Sequence, residues 1–357
     1  MLYLFNSGYS ELYRRNLLNL LFLPRGSRLT LRYRRKNLPD GVWNGGDLPA
    51  KGGQCLISFV DRHAAGGYEY APLRQARFLA SRKEGEQLLV DVLLDEYVFP
   101  DDVTSLQPVF KAALAGHKAP AKNEVGDETQ DEHYVISASE SPEVLNALKV
   151  GDAEWVRAAE YLSAREVFAG DAKDPVFVRA ELLADGDKAV APRGIRRKDA
   201  GQYRLSADYS YMLRLSYRHF HHEERGSNVV DVNARGGILW GDEPFMAVEA
   251  AATTVTLHFS TSREPEGKHA SVGLAVGDRP LLVASAPLTA AIVKGLDFWY
   301  EAVALVVGFA IVDFLSTDNH ASLLGLTALV GWGGVLLSVL KAAALVRLVV
   351  LFGKKPV

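Results

Sequence analysis

Tyr203 to His219 reads YRLSADYSYMLRLSYRH and alternates aromatic or aliphatic residues with polar ones along almost its whole length. Successive side chains of a strand point to opposite faces, so this period of two predicts a strand with one buried side and one wet side. Downstream, shorter runs at Ile238 to Trp240, Ala247 to Phe259, Ser271 to Val276 and Pro280 to Val283 read the same way. Upstream, a strand is expected at Val176 to Leu183, after helical segments at Pro142 to Leu148 and Ala153 to Ala164 and a strand at Tyr134 to Ser137. Together these predict a β-rich unit over 134–286, built as an antiparallel sandwich.

The first hundred residues carry a second β-rich pattern. Met1 to Phe5 reads as a strand, Ser10 to Leu23 as a helix stopped by Pro24 and Gly26, and Ser27 to Arg34 as a strand with Leu29, Leu31 and Tyr33 on one side and Arg28, Thr30, Arg32 and Arg34 on the other. Strands at Cys55 to Val60, Arg77 to Ser81 and Leu88 to Leu94 and a helix at Thr104 to Ala115 complete a small barrel-like domain over 1–116. Between the two domains, HKAPAKNEVGDETQDEH at 117–133 has too few apolar residues to bury and reads as a linker.

The C-terminal part, 287–357, has a different character. Ala321 to Leu340 (ASLLGLTALVGWGGVLLSVL) holds no charge, and at about 1.5 Å per residue it makes roughly 30 Å of helix, the thickness of a hydrocarbon core. Ala302 to Leu315, extended back through Leu296, Phe298, Trp299 and Tyr300, reaches similar length, and STDNH at 316–320 joins the two. The expected structure is a transmembrane helical hairpin. Lys294 precedes it and Lys341, Arg347, Lys354 and Lys355 end it, which by the positive-inside rule places both termini on the cytoplasmic side of the inner membrane.

Composition excludes several classes. The single cysteine, Cys55, rules out an internal disulfide and any multi-thiolate metal site. The first fifteen residues show no secretory signal pattern. There is no phosphate-loop, dinucleotide-binding, nucleophile-elbow or HExxH motif, so no cofactor is implied and nothing marks an enzyme. A net charge of -3 over 357 residues says little, because the charge is distributed unevenly.

Three groups of residues remain as candidates. Arg14, Arg15, Arg28, Arg32, Arg34, Arg35 and Lys36, with Tyr33 among them, form the densest basic run; arginine forks match phosphates and tyrosines stack on bases, while the same run also suits a solvated strand face or anionic lipid headgroups. His219, His221 and Glu223 share a strand parity and are the only metal-ligand set, competing with a plain polar strand end. Glu301, Asp313 and Lys341 sit in or beside the hairpin, where they either snorkel to the interface or line a pore between copies of the chain.

In architecture alone, a cytosolic β-rich part joined to a two-helix membrane module resembles the membrane effectors of prokaryotic antiviral defence systems. That resemblance implies nucleotide or nucleic-acid sensing by the soluble part, homo-oligomer formation and perturbation of the lipid bilayer. The alternative is a passive anchor whose soluble domains recruit protein partners.

Overall fold

The structure, a computed structural model, describes residues 2–8, 11–35, 38, 40–62, 68–114, 135–138, 142–169, 174–184, 186–220, 228–262, 269–276 and 281–293. In chain order these form β1 (Leu2–Gly8), α1 (Glu11–Phe22), β2 (Arg28–Arg34), α2 (Asp40–Trp43), β3 (Gln54–Arg62), β4 (Tyr68–Glu84), β5 (Gln87–Pro100) and α3 (Val103–Leu114). Next come β6 (Val135–Ala138), α4 (Pro142–Asn146), β7 (Leu148–Val150), α5 (Ala153–Ser163), α6 (Glu166–Ala169), β8 (Asp174–Pro175), β9 (Phe177–Ala184) and β10 (Lys188–Ala189). The remainder are strands: β11 (Tyr203–Ser206), β12 (Ser210–Arg218), β13 (Asn228–Arg235), β14 (Ile238–Trp240), β15 (Phe245–Val248), β16 (Ala252–Thr261), β17 (His269–Ala275), β18 (Leu281–Leu282) and β19 (Leu288–Val293). The described chain is therefore mostly β.

The first sheet runs β2-β5-β4-β3-β1-β6, with β7 attached to β5. Its pairings are antiparallel except β1 beside β3. β4 and β5 are far longer than the apolar runs within them suggested, and β4 shifts register against both neighbours, near Ile57/Ser58 and again near Phe78/Ala80. Such bulges bend a strand and raise its twist. They let the 17-residue β4 run on between its neighbours while the sheet curves.

The stretch from Tyr203 to His219 forms two strands where its pattern predicts one. Asp208 has a φ of 57°, and the chain turns there from β11 into β12. β11 lies beside β19 in a five-stranded sheet ordered β11-β19-β17-β13-β15, whereas β12 lies between β9 and β16 in the other, ordered β10-β9-β12-β16-β14. Ala247 to Phe259 divides likewise, into β15 and β16 in different sheets. Leu288 to Val293, expected to lead into the membrane, pairs with β17 as a strand. The helix expected to reach Leu148 ends at Asn146, because Leu148 opens β7.

Residues Met1–Ile292 make one compact unit and Val293–Val357 a second. Within the first, the buried cluster is continuous: Phe5, Leu17 and Val92 from the N-terminal region belong with Val176, Leu213, Val232 and Ile292 from the later strands. α1 is its bridge. It buries Leu17, Leu18, Leu20 and Leu21, and Trp155, Arg74 and Tyr97 all reach its last turn. The expected linker at 117–133 lies outside the described residues, as does the expected hairpin with Glu301, Asp313 and Lys341. Among the described residues no helix is long and apolar enough to cross a membrane.

Candidate polyanion-binding face

β2 is an edge strand, and its alternation places Arg28, Arg32 and Arg34 outward while Leu29, Leu31 and Tyr33 enter the core. Register carries the basic side across the sheet. Arg28 lies opposite Leu93, Thr30 opposite Asp91 and Arg32 opposite Leu89 of β5, and Leu89 in turn faces Arg82 of β4. The outward side is thus a row of guanidinium groups around a single buried acid.

That acid is Asp91, whose side chain is 3% exposed. It accepts from Thr30 Oγ1 at 2.6 Å, from Arg82 Nη1 at 2.9 Å and from Arg28 Nη2. A buried carboxylate is tolerable only when paired and hydrogen-bonded, and Asp91 has three donors. Asp91 and Glu84 together offset Arg28 and Arg82, so the positive balance of the face comes from its other cations. Arg82 also bonds Glu84 at 2.9 Å, which raises its already high pKa and keeps it cationic. Arg32 and Arg34 are exposed and make no ion pair with the described residues.

A second segment, distant in sequence, joins this side of the sheet. Residues 193–202 close on themselves: Arg193 N–H donates to Gln202 O at 2.8 Å and Gly201 N–H to Arg193 O at 3.0 Å. Ile195 and Ala200 then pack on Leu79 and Leu93, and Gly201 lies against the backbone of Arg28. The closure leaves Arg196, Arg197 and Lys198 exposed at the tip. By pattern alone, Asp185 to Lys198 reads as a polar spacer; here its end is anchored on the sheet next to β2, with three exposed cations between the anchors.

The other predicted residues separate. Tyr33 is 1% exposed, on the core side beside Phe5, so it offers no stacking surface. Arg14 is half-buried and Arg15 exposed on α1. Arg35 pairs with Asp40, donates to Leu38 O at 3.0 Å and lies over the Trp43 ring. Lys36 is outside the described residues. His219 is fully buried, with Nε2 2.6 Å from Asp174 Oδ2. Such a buried pair is a packing and hydrogen-bonding unit closed to solvent, and His221 and Glu223 lie outside the described residues. Among the described residues no three His, Cys, Asp or Glu side chains gather to hold a metal. Burial pushes the Cys55 thiol up to about 12, far from a nucleophile's range. No protein-family model matches the chain, and no curated protein matches it.

The face can do one thing well. Its guanidinium groups present fixed forks toward solvent. Tyr33 of β2 and Phe78 of β4 are buried, and the part-exposed Trp43 is already covered by Arg35 and Lys83. Exposed guanidinium groups of this kind suit phosphate charge, a contact that carries no sequence selectivity.

Proposed function

We propose that this chain is a membrane-anchored sensor-effector of a prokaryotic defence system, in which the β-rich unit binds nucleic acid through the β2 face and the C-terminal hairpin acts on the inner membrane. In this reading the N-terminal sheet is a barrel-like domain, the two five-stranded sheets are a sandwich, and the hairpin holds both chain ends in the cytoplasm. The observation that supports it is the convergence of two basic segments far apart in sequence, Arg28 to Arg34 and Arg196 to Lys198, on one side of one sheet. Like charges held together cost free energy unless an anion offsets it, and a polyanion would do so here.

Binding is tested with the full-length chain in uncharged detergent micelles and a single-stranded oligonucleotide. Affinity should fall with salt at roughly 0.7 log units per decade for each phosphate engaged. Reversing Arg32 and Arg34 to Glu, or Arg196 and Arg197 to Glu, should each flatten that slope. Salt-independent affinity, or none, refutes the nucleic-acid role, and binding only to vesicles of anionic lipid moves the face to the membrane. Action on the membrane is tested in cells: the triggered protein should depolarise them, and substitutions of Glu301, Asp313 or Lys341 should alter this. Full activity after exchange of the hairpin for an unrelated two-helix anchor would reduce the protein to a scaffold that recruits partners.

A further inference from the structure

The loop that carries Arg196 to Lys198 has a second side. Pro192, Arg193 and Gly194 form one wall of a cleft of about 950 Å³, whose other walls come from the turn after α1, from β4, β5 and β9, from Val150 to Asp152, from Asp187 to Ala191, and from Tyr203 and Arg214. That volume is at the upper end of what small-molecule sites occupy. Its wall arginines are held by carboxylates. Arg77 forks onto Asp95 at 2.8 and 2.7 Å, Arg25 pairs with Glu96, Arg193 with Asp199, and Arg214 with Asp187 at 3.1 Å. Arg179 reaches Glu181 at 2.9 Å and Asp152 at 3.4 Å.

Arg74 differs from all of these. It is fully buried and has no carboxylate partner among the described residues. Nε donates to Asp95 O at 2.9 Å, and Nη1 donates to Leu20 O and Leu23 O, both at 2.8 Å. The Tyr97 ring covers the guanidinium at 3.7 Å. The α1 carbonyls offset part of the charge, since they form the negative end of that helix. Nη2, however, meets no acceptor in hydrogen-bond geometry among the described residues, although the Tyr97 hydroxyl is near enough to interact with the guanidinium, and neither does Arg179 Nε. Tyr203 Oη, in the same cleft wall, is also buried without a partner in hydrogen-bond geometry, although Ser27 is near enough to interact with it. Arg74 and Arg179 both act electrostatically on the Tyr97 hydroxyl. Unsatisfied buried donors are costly, and these three line one cleft.

We propose that this cleft is a binding site for the phosphoryl group of a small ligand of nucleotide size, held between Arg74 Nη2 and Arg179 Nε. The site is separate from the nucleic-acid face and stands whether or not that face binds polyanions. The ligand's oxygens supply the acceptors that Arg74, Arg179 and Tyr203 lack. Entry exchanges one existing contact, and the one with least to lose is the long pair of Arg179 with Asp152, whose carboxylate is 69% exposed. The incoming oxyanion and Asp152 therefore compete for the same guanidinium.

That competition gives the test two opposite signs. Titration calorimetry on the full-length chain in detergent, with inorganic phosphate, pyrophosphate and AMP as separate probes, should detect binding of at least one. Arg179→Gln should weaken it at least tenfold, the scale of a lost charged hydrogen bond. Asp152→Asn should tighten it several-fold. Both side chains are on the cleft wall, and unchanged melting curves check that the fold persists, whereas Arg74 also caps α1 and is left intact. Phosphate binding as tightly as AMP assigns a free oxyanion, and tighter AMP binding assigns a nucleotide; either supports the site. No binding by any probe, or Arg179→Gln and Asp152→Asn both leaving affinity unchanged, overturns it. Repeating the oligonucleotide titration on the same variants separates this result from the polyanion face, which they should not affect.

Discussion

Asn19 Oδ1 accepts the backbone N–H groups of both Ser285, at 2.7 Å, and Ala286, at 2.9 Å, and so ties α1 to the segment that enters β19. The asparagine is 7% exposed, so both donors are removed from water when it binds them. Asn19→Ala would leave two backbone donors unsatisfied, at about 1 to 3 kcal/mol each, and the expected loss is about 2 to 4 kcal/mol in chemical denaturation. Asn19→Asp keeps the acceptor and surrenders only the 3.5 Å contact to Ser285 Oγ. It should retain most of the stability. Equal losses for the two variants would mean that side-chain volume, and not acceptance, holds this junction.

The end of the same helix makes a second, separable prediction. Leu21 O accepts from Tyr97 Oη at 2.9 Å and from Trp155 Nε1 at 3.0 Å, so two donors from β5 and α5 serve one carbonyl past the reach of the helix's own bonds. Tyr97→Phe leaves the tryptophan in place and should cost about 1 kcal/mol, the usual net value of one hydrogen bond. With Trp155→Phe added, the carbonyl is orphaned. The double variant should therefore exceed the sum of the single ones by about 1 kcal/mol or more, because residues sharing a partner do not act additively. Simple additivity in a double-mutant cycle would exclude the shared acceptor.

The period-two pattern finds strands but not their sheets. Tyr203, Leu205, Tyr211, Leu213, Leu215 and Tyr217 are all buried, whereas Ala207 and Tyr209 between them are not, so the alternation of the sequence runs through a turn that moves the chain from one five-stranded sheet to the other. Both sheets send their apolar sides into one core, so the pattern is the same on either side of Asp208. Only the positive φ at Asp208 marks the change, and an aspartate among serines is a weak turn signal. Local chemistry made the outward arginines of β2 legible, because parity is a property of neighbours in sequence. The contribution of Arg196 to Lys198 was hidden, since it depends on Ile195 and Ala200 finding Leu79 and Leu93 more than a hundred residues away. So was the cleft around Arg74, whose lone charge is defined by what eight separate segments fail to place beside it.

Alkali should unfold the protein in a defined window. Cys55 is pushed up to about 12 from 9.0 by burial, and burial also raises Tyr97, Tyr161 and Tyr203, with Glu69 adding to the rise at Tyr161. Each neutral form is favoured in the folded state, so each contribution is fully present below the unfolded pKa and is lost as pH rises toward the folded one. For Cys55 that interval is pH 9 to 12, with a limiting slope of about 1.4 kcal/mol per pH unit from a single group. Denaturant midpoints should be flat from pH 7 to 8.5 and fall steeply above 9. The same burial should leave the native thiol unreactive to a disulfide reagent at pH 8, and denaturation should release one equivalent. A rapid native reaction would contradict the burial of Cys55.

Gly201 decides whether the 193–202 loop can stay on the β2 face. Its φ is 83°, a region that costs an ordinary residue about 1 to 2 kcal/mol, and a Cβ there would lie 2.6 Å from the Arg28 backbone nitrogen. Backbone cannot give way as a side-chain tip can, so Gly201→Ala must push the loop off Arg28. Ile195 and Ala200 would then lose their seat on Leu79 and Leu93, and Arg196 to Lys198 would leave the arginine row. The expected result is a loss of oligonucleotide affinity comparable to that of reversing Arg196 and Arg197, although no charge has changed. Gly45→Ala is the control: its φ of 85° imposes the same backbone strain, but nothing lies within 4 Å of its Cβ. It should destabilise by about 1 kcal/mol and bind as the wild type does. If Gly201→Ala also keeps full affinity, the loop cations are not part of the binding face, and the affinity must reside in Arg28, Arg32 and Arg34 alone.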